Sequence, residues 1–160
     1  MAIGPILPDF IVVALDNDVL NDWRFRKPAT LKAINEYIGL VKTPPALPAI
    51  TIFEMVLGFE NAVVKLGGVN ERLNRDREHA QELIKECSVL SFNQEAAEIA
   101  AYIYPRLSPK ERNSLWRDVF IASTALAHEY GVATRNRTDF ELIAKHMPAS
   151  YPPLRIEVWK

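Results

Sequence analysis

Four carboxylates interrupt or end the most apolar stretches of this chain, and any fold must find them a tolerable place. Asp16 ends the run Ile11–Leu15, and Glu54 breaks Ile50–Leu57. Asp118 lies within Trp116–Ala127 beside a single Arg, and Asp139 follows Gly131–Ala133 and a polar turn. A charge among buried side chains is costly unless it is paired or bound to a cation. Four such placements, each at a strand–helix junction, point to one shared acidic pocket that holds divalent metal.

The apolar patterning supplies the frame. Ile11–Leu15 is short, rich in β-branched residues and apolar throughout, which suits a central strand buried on both faces. Asp18 to about Phe25 reads as a short helix, and Pro28 fits the first turn of a second, with Leu31, Ile34, Tyr37 and Ile38 on one face. A proline-marked loop leads to a short strand near Ala46–Ala49. A helix from Thr51 to about Leu66 follows, closed by Gly67 and Gly68. Asn70–Glu86 reads as a mostly polar helix and Val89–Phe92 as a strand. Asn93 can cap a helix up to about Leu107. Ser108–Asn113 reads as a polar break before a strongly apolar helix, Ser114–Tyr130. Val132–Thr134, Thr138–His146 and Leu154–Trp159 read as strand, helix and strand. Alternation of this kind implies an α/β domain with a mostly parallel sheet. Residues 1–10 read as an irregular leader and 11–160 as the domain.

Composition narrows the function. With 160 residues, 49% hydrophobic and 24% charged, the chain has material for one domain with a real core. The net charge of −1 gives no global basic field, so contact with a polyanion must rest on a local patch or on metal. The single cysteine, Cys87, excludes an internal disulfide and fits a reducing cytosol. The start lacks the features of a signal peptide, and no apolar run approaches the roughly 20 residues that span a bilayer. A cytoplasmic protein with no membrane contact is expected. His79, His128 and His146 lack metal-ligand spacing, so zinc is not expected.

In open parallel sheets ligands sit beyond the carboxyl ends of the strands. Asp16 ends the first strand, and Asp139 lies just past the fourth. Glu54 and Asp118 are expected in the first turns of helices that reach the same edge. Each also has a plainer reading. Thr51-x-x-Glu54 and Thr138-x-x-Glu141 match capping boxes, Asp118 could complement a helix dipole, and Asp16 and Asp18 could be turn or cap residues. Four converging carboxylates without a cation would raise one another's pKa values. Hard ions such as Mg²⁺ or Mn²⁺ resolve the conflict, and one or two of them can drive phosphodiester hydrolysis.

The chain resembles PIN-domain ribonucleases, most closely the toxin subunits of the VapBC type. The resemblance is carried in order by Leu15-Asp16-Asn17-Asp18-Val19-Leu20, Ile50-Thr51-Ile52-Phe53-Glu54-Met55-Val56-Leu57-Gly58, Asp118-Val119-Phe120-Ile121-Ala122-Ser123-Thr124-Ala125-Leu126-Ala127, and Ala133-Thr134-Arg135-Asn136-Arg137-Thr138-Asp139-Phe140. It implies that Asp16, Glu54, Asp118 and Asp139 form a catalytic metal pocket for one or two Mg²⁺ or Mn²⁺ ions. It implies that Thr134 and Asn136 stand behind them or touch substrate. It further implies a sheet of five parallel strands, RNA cleavage by metal-activated water, a homodimer and a small antitoxin that blocks the site. Asn17 stands where the family usually has Thr or Ser, and Asp18 where it has Asn. Asp18 is then an extra ligand or, the reading favoured here, a helix cap. Arg135 and Arg137 before the last carboxylate, and Arg24, Arg26 and Lys27 after the first, can hold phosphates of a bound strand or pair with the acids.

Other readings stay open at this level. Asp16-Asn17-Asp18 resembles the opening of haloacid-dehalogenase-type phosphatases, with Asp16 as nucleophile. A non-catalytic module binding metal or a partner, and an RNA-processing PIN nuclease that is not a toxin, share the same residues.

Overall fold

A computed structural model describes residues 12–160. The expected leader over 1–10, and Ile11 of the first expected strand, lie outside the described residues. The chain runs β1 (Val13–Leu15), α1 (Asn17–Arg24), α2 (Pro28–Val41), β2 (Leu47–Pro48), α3 (Ala49–Leu66), α4 (Glu71–Lys85), β3 (Val89–Leu90), α5 (Gln94–Ile103), α6 (Pro109–Ala127), β4 (Gly131–Thr134), α7 (Arg137–Ala144) and β5 (Ile156–Val158). Every strand pairing is parallel, as the alternation predicts.

The strands form a three-stranded sheet in the order β1-β4-β5 and a two-stranded sheet, β2-β3. The single five-stranded sheet expected from the resemblance is thus divided. One parallel bridge, Ala14 to Ala46, joins the parts. The link is short because Pro48 offers no backbone donor and β2 has only two residues. After β1 the chain builds β2 and β3 on one side, then crosses to β4 on the other. β1 is therefore the point where strand order reverses, and its carboxyl end is the place such folds leave for a ligand.

Side-chain alternation sorts the core into two layers. Ala14 and Val132 face a cluster built with Ile99, Ile103, Val119, Ile121 and Phe140 from α5, α6 and α7. Val13, Leu15 and Ala133 face the other way, onto Val19, Leu20, Ile34, Tyr37, Met55 and Phe59 from α1, α2 and α3. Both faces of β1 and β4 are covered, which explains why their sequences lack polar alternation. Trp159 closes the second layer edge-on to Tyr37, with ring centroids 5.7 Å apart. Cys87 is buried, and its thiol is pushed up to about 12 by burial, consistent with a packing role.

Two helix starts differ from expectation. Ser108–Asn113 is no break. Ser108 caps α6, Glu111 returns the hydrogen bond to its backbone, and Pro109 occupies the first turn. The Ser-x-x-Glu spacing and the proline are together a start signal, and the polarity of the segment disguised it. Ser108→Ala is expected to cost about 1 kcal/mol, read as a lower urea midpoint with an unchanged m-value. Helix α3 begins at Ala49, ahead of Thr51, with Pro48 at the cap position. The cap expected at Asn93 is present, accepting the Ala96 N–H, whereas Asn70, read from the sequence as the first residue of its helix, instead caps α4 by accepting the Leu73 N–H.

Candidate active site

Asp16 leaves the end of β1 and is itself the cap residue of α1. It is 7% exposed. One carboxylate oxygen accepts the Asn17 N–H at 2.7 Å, and the other accepts the Thr134 hydroxyl at 2.9 Å. Thr134 ends β4, so this bond spans the two central strands at their carboxyl ends. The Thr134 hydroxyl in turn accepts the Asn136 N–H at 2.9 Å. Burial raises the Asp16 carboxyl above its ordinary value; Asp18 adds to the rise, while the Thr134 and Asn17 hydrogen bonds and Arg135 oppose it.

The capping readings of the other acids do not hold. Thr51 lies inside α3, and its hydroxyl donates to the Leu15 carbonyl at 2.8 Å. That bond ties the start of α3 to the end of β1 and leaves Glu54 in the second turn, where a first turn was expected. Asp118 is mid-helix in α6, again not in a first turn, because the helix starts earlier than its apolar stretch. Asn136, not Thr138, caps α7 by accepting the Asp139 N–H, and its amide donates to the Asp139 carboxylate. Asp139 is indeed in the first turn. Asp18 is not the cap of α1 but an exposed first-turn residue beside the cap, Asp16.

The acids nevertheless act on one another. Burial, then the charges of Asp16, Glu54, Asp139 and Asp18, push the Asp118 carboxyl up to about 8. Burial and the charges of Asp16 and Asp18 push Glu54 up to about 7, with Arg117 pulling the other way. One Glu54 oxygen and the Asn17 side-chain oxygen are buried with no hydrogen-bond donor among the described residues. Buried acceptors rarely stay so without cause. Among the described residues no three His, Cys, Asp or Glu side chains are gathered into a finished ion cage. The acids share a field across the carboxyl edge. A set of hard, partly orphaned oxygen donors whose charges repel fits a hard divalent cation.

The sequence profile of the PIN domain matches residues 13–146. The chain belongs to the PIN domain family. PIN domains are in general nucleases that use divalent metal ions. No curated protein matches by sequence. Several solved structures match by fold. VapBC2 from Rickettsia felis, bound to a DNA fragment of its promoter, is 16% identical with a TM-score of 0.68, covering 92% of this chain and 98% of that one. DNA-bound VapBC from Salmonella typhimurium is 19% identical with a TM-score of 0.64, over 94% and 99% of the two chains. VapBC-5 from Mycobacterium tuberculosis, of the VapBC family of toxin–antitoxin systems, is 18% identical with a TM-score of 0.56, over 92% and 97%. Family membership sets aside the haloacid-dehalogenase reading of Asp16.

The basic residues of this PIN domain divide into two kinds. Arg135 reaches back to α1, with Nη2 3.6 Å from Asp18 and Nε 3.4 Å from Asp22. Lys27 also pairs with Asp22, at 2.8 Å. Arg24 stacks on Phe25 and Phe59, with its guanidinium carbon 4.3 and 5.1 Å from the ring centroids. Arg137 is exposed, and its ion pair among the described residues is to Glu141 of its own helix, at 3.4 Å. The sequence reading missed Asp22, which is 4% exposed. It sits in the polar-looking stretch Asn21–Arg24, and nothing local marks it as buried. No helix among the described residues is long and apolar enough to cross a membrane.

Proposed function

We propose that this PIN domain is an endoribonuclease that hydrolyses RNA phosphodiesters with Mg²⁺ or Mn²⁺, and that it is the toxin of a type II toxin–antitoxin pair. The observation that carries the reading is the coupling of Asp118 and Glu54 to Asp16 at the carboxyl end of the switch strand. Asp16, Glu54, Asp118 and Asp139 would hold one or two ions. When bound, such an ion supplies an activated water and charge stabilisation at the leaving oxygen.

The chain's own residues prepare that pocket. Thr134 holds one Asp16 oxygen, and Asn136 holds Asp139. Thr51 fixes the start of α3 to the end of β1, and with it the approach of Glu54. Asp18, exposed at the rim, is positioned by Arg135 and is a candidate fifth acid. Arg137, two residues before Asp139 on α7, presents an exposed cation that would contact a phosphate of a bound strand. The fold likeness to VapBC assemblies supports a small antitoxin as partner, and a homodimer is proposed as the working form. A cytoplasmic location accords with an RNA substrate. A short overlapping reading frame beside the gene would separate the toxin role from an RNA-processing one.

The test is cleavage of mixed RNA by the purified wild type in Mg²⁺, Mn²⁺ or EDTA. Cleavage that EDTA removes is expected, and no metal-dependent cleavage of any RNA contradicts the proposal. Arg137→Glu is expected to weaken RNA binding, more at low salt than at high, as a phosphate contact should. Fluorescence anisotropy at two ionic strengths checks this, and equal affinity at both would remove Arg137 from the interface.

A further inference from the structure

We infer that Asp22, through Arg135, is a positioning residue for the acidic pocket. The inference rests on the metal-nuclease reading above. Three successive residues leaving β4 each grip an acid: Thr134 holds Asp16, Arg135 holds Asp18 and Asp22, and Asn136 holds Asp139. The turn 134–136 is thus the common support of the two pocket acids nearest the β1 and β4 ends. Its middle residue is what anchors it to α1.

The anchor is specific in geometry. Asp18 and Asp22 lie one turn apart on the same face of α1. Nε and Nη2 of Arg135 lie on one edge of a rigid, planar guanidinium. Engaging both acids along that edge fixes the plane of the guanidinium. Asp22 is the fixed point, with its side chain 5% exposed while that of Asp18 is 55% exposed. Its other oxygen is held by Lys27 at 2.8 Å, and its carbonyl accepts the Lys27 N–H at 2.9 Å. Stability alone does not call for a charge here, because buried ion pairs at best roughly match apolar side chains of the same volume. Orientation does call for it, because an apolar residue could not aim Arg135.

Supports behind metal ligands typically change metal affinity or activity ten- to a hundredfold when removed. The test titrates the metal-stripped full chain with Mn²⁺ and follows the unbound ion by electron paramagnetic resonance. Circular dichroism first confirms that each variant is folded. Asp22→Asn and Arg135→Gln are each expected to weaken Mn²⁺ binding about tenfold or more. The double variant should be no weaker than the worse single one, because both changes break the same pair. Arg135→Lys should recover part of the loss. Lys27→Gln, which loosens Asp22 but leaves its pair with Arg135, should lose less Mn²⁺ affinity than either single variant while unfolding at a lower temperature.

Wild-type affinity in folded Asp22→Asn overturns the inference, and so do losses that simply add in the double variant. If Asp22→Asn does not fold, Arg135→Gln decides, since that side chain is partly exposed; wild-type affinity there also overturns it. A wild type that binds Mn²⁺ through Asp16 yet cleaves no RNA contradicts the nuclease reading and leaves the anchor standing. A wild type that binds no Mn²⁺ overturns both.

Discussion

Asp16→Asn is expected to lower metal-dependent RNA cleavage about a hundredfold or more while the protein stays folded. Asp16 sits at the strand where the order reverses, and its charge raises both Glu54 and Asp118. Asp18 also acts on both, more weakly, but Asp16 is the one of the two that is hydrogen-bonded to β4, through Thr134. Losing it would remove a carboxylate from the charge-stabilising centre, an effect worth several kcal/mol. The fold should survive, because Asn still accepts the Asn17 N–H and caps α1. The Thr134 hydroxyl can rotate to accept from the new amide. Cleavage assays beside a thermal melt check both halves. Equal cleavage by the two proteins would remove Asp16 from the site.

The second large effect is on stability. Asp118→Asn is expected to stabilise the metal-free protein at pH 8 by on the order of a few kcal/mol. The sign follows from the direction of the shift. In the unfolded chain Asp118 releases its proton near 3.8, while in the folded chain it keeps it to about 8. Between those values the folded state binds more protons, so stability falls as pH rises through the window. Glu54 adds a fall of the same sign between 4.5 and about 7. Asn at 118 removes the larger part. The gain should vanish below about pH 3, where Asp118 is protonated in both states. Urea melts in EDTA across this range test it. A gain independent of pH would mean that charge at Asp118 is not the cause. With Mg²⁺ present the order should reverse, because an ion bound to the folded wild type stabilises it by mass action.

How much of this was readable beforehand depended on whether the signal was local. Asp16 was legible because a short β-branched run stopped at it, and a buried strand has only one place to end in a charge. Asn93 is legible as a cap because it stands directly before a periodic segment. Asp118 lies near Asp16, as the charges acting on it show, but not in the first helical turn that the sequence predicts. Its helix starts at Pro109, and the polar residues before Trp116 hid the first turns. Thr51 looked like a cap because the spacing to Glu54 fits one. Its bond to the Leu15 carbonyl comes from packing α3 on β1, which no spacing encodes. Asp22 is invisible for the same reason, since one of its two partners, Arg135, is far away in the chain. The split of the sheet turned on Pro48, which was visible, but the length of the bridge beside it was set by how β1 and β2 meet.

The central claim is that Asp16, Glu54, Asp118 and Asp139 serve one metal pocket. Anomalous scattering from a crystal soaked in Mn²⁺ tests it most directly. The account predicts one or two Mn²⁺ peaks at the carboxyl end of β1, within coordination distance of Asp16 and of at least one of Glu54, Asp118 and Asp139. Peaks confined to other acidic residues, with these four left unbound, would contradict it.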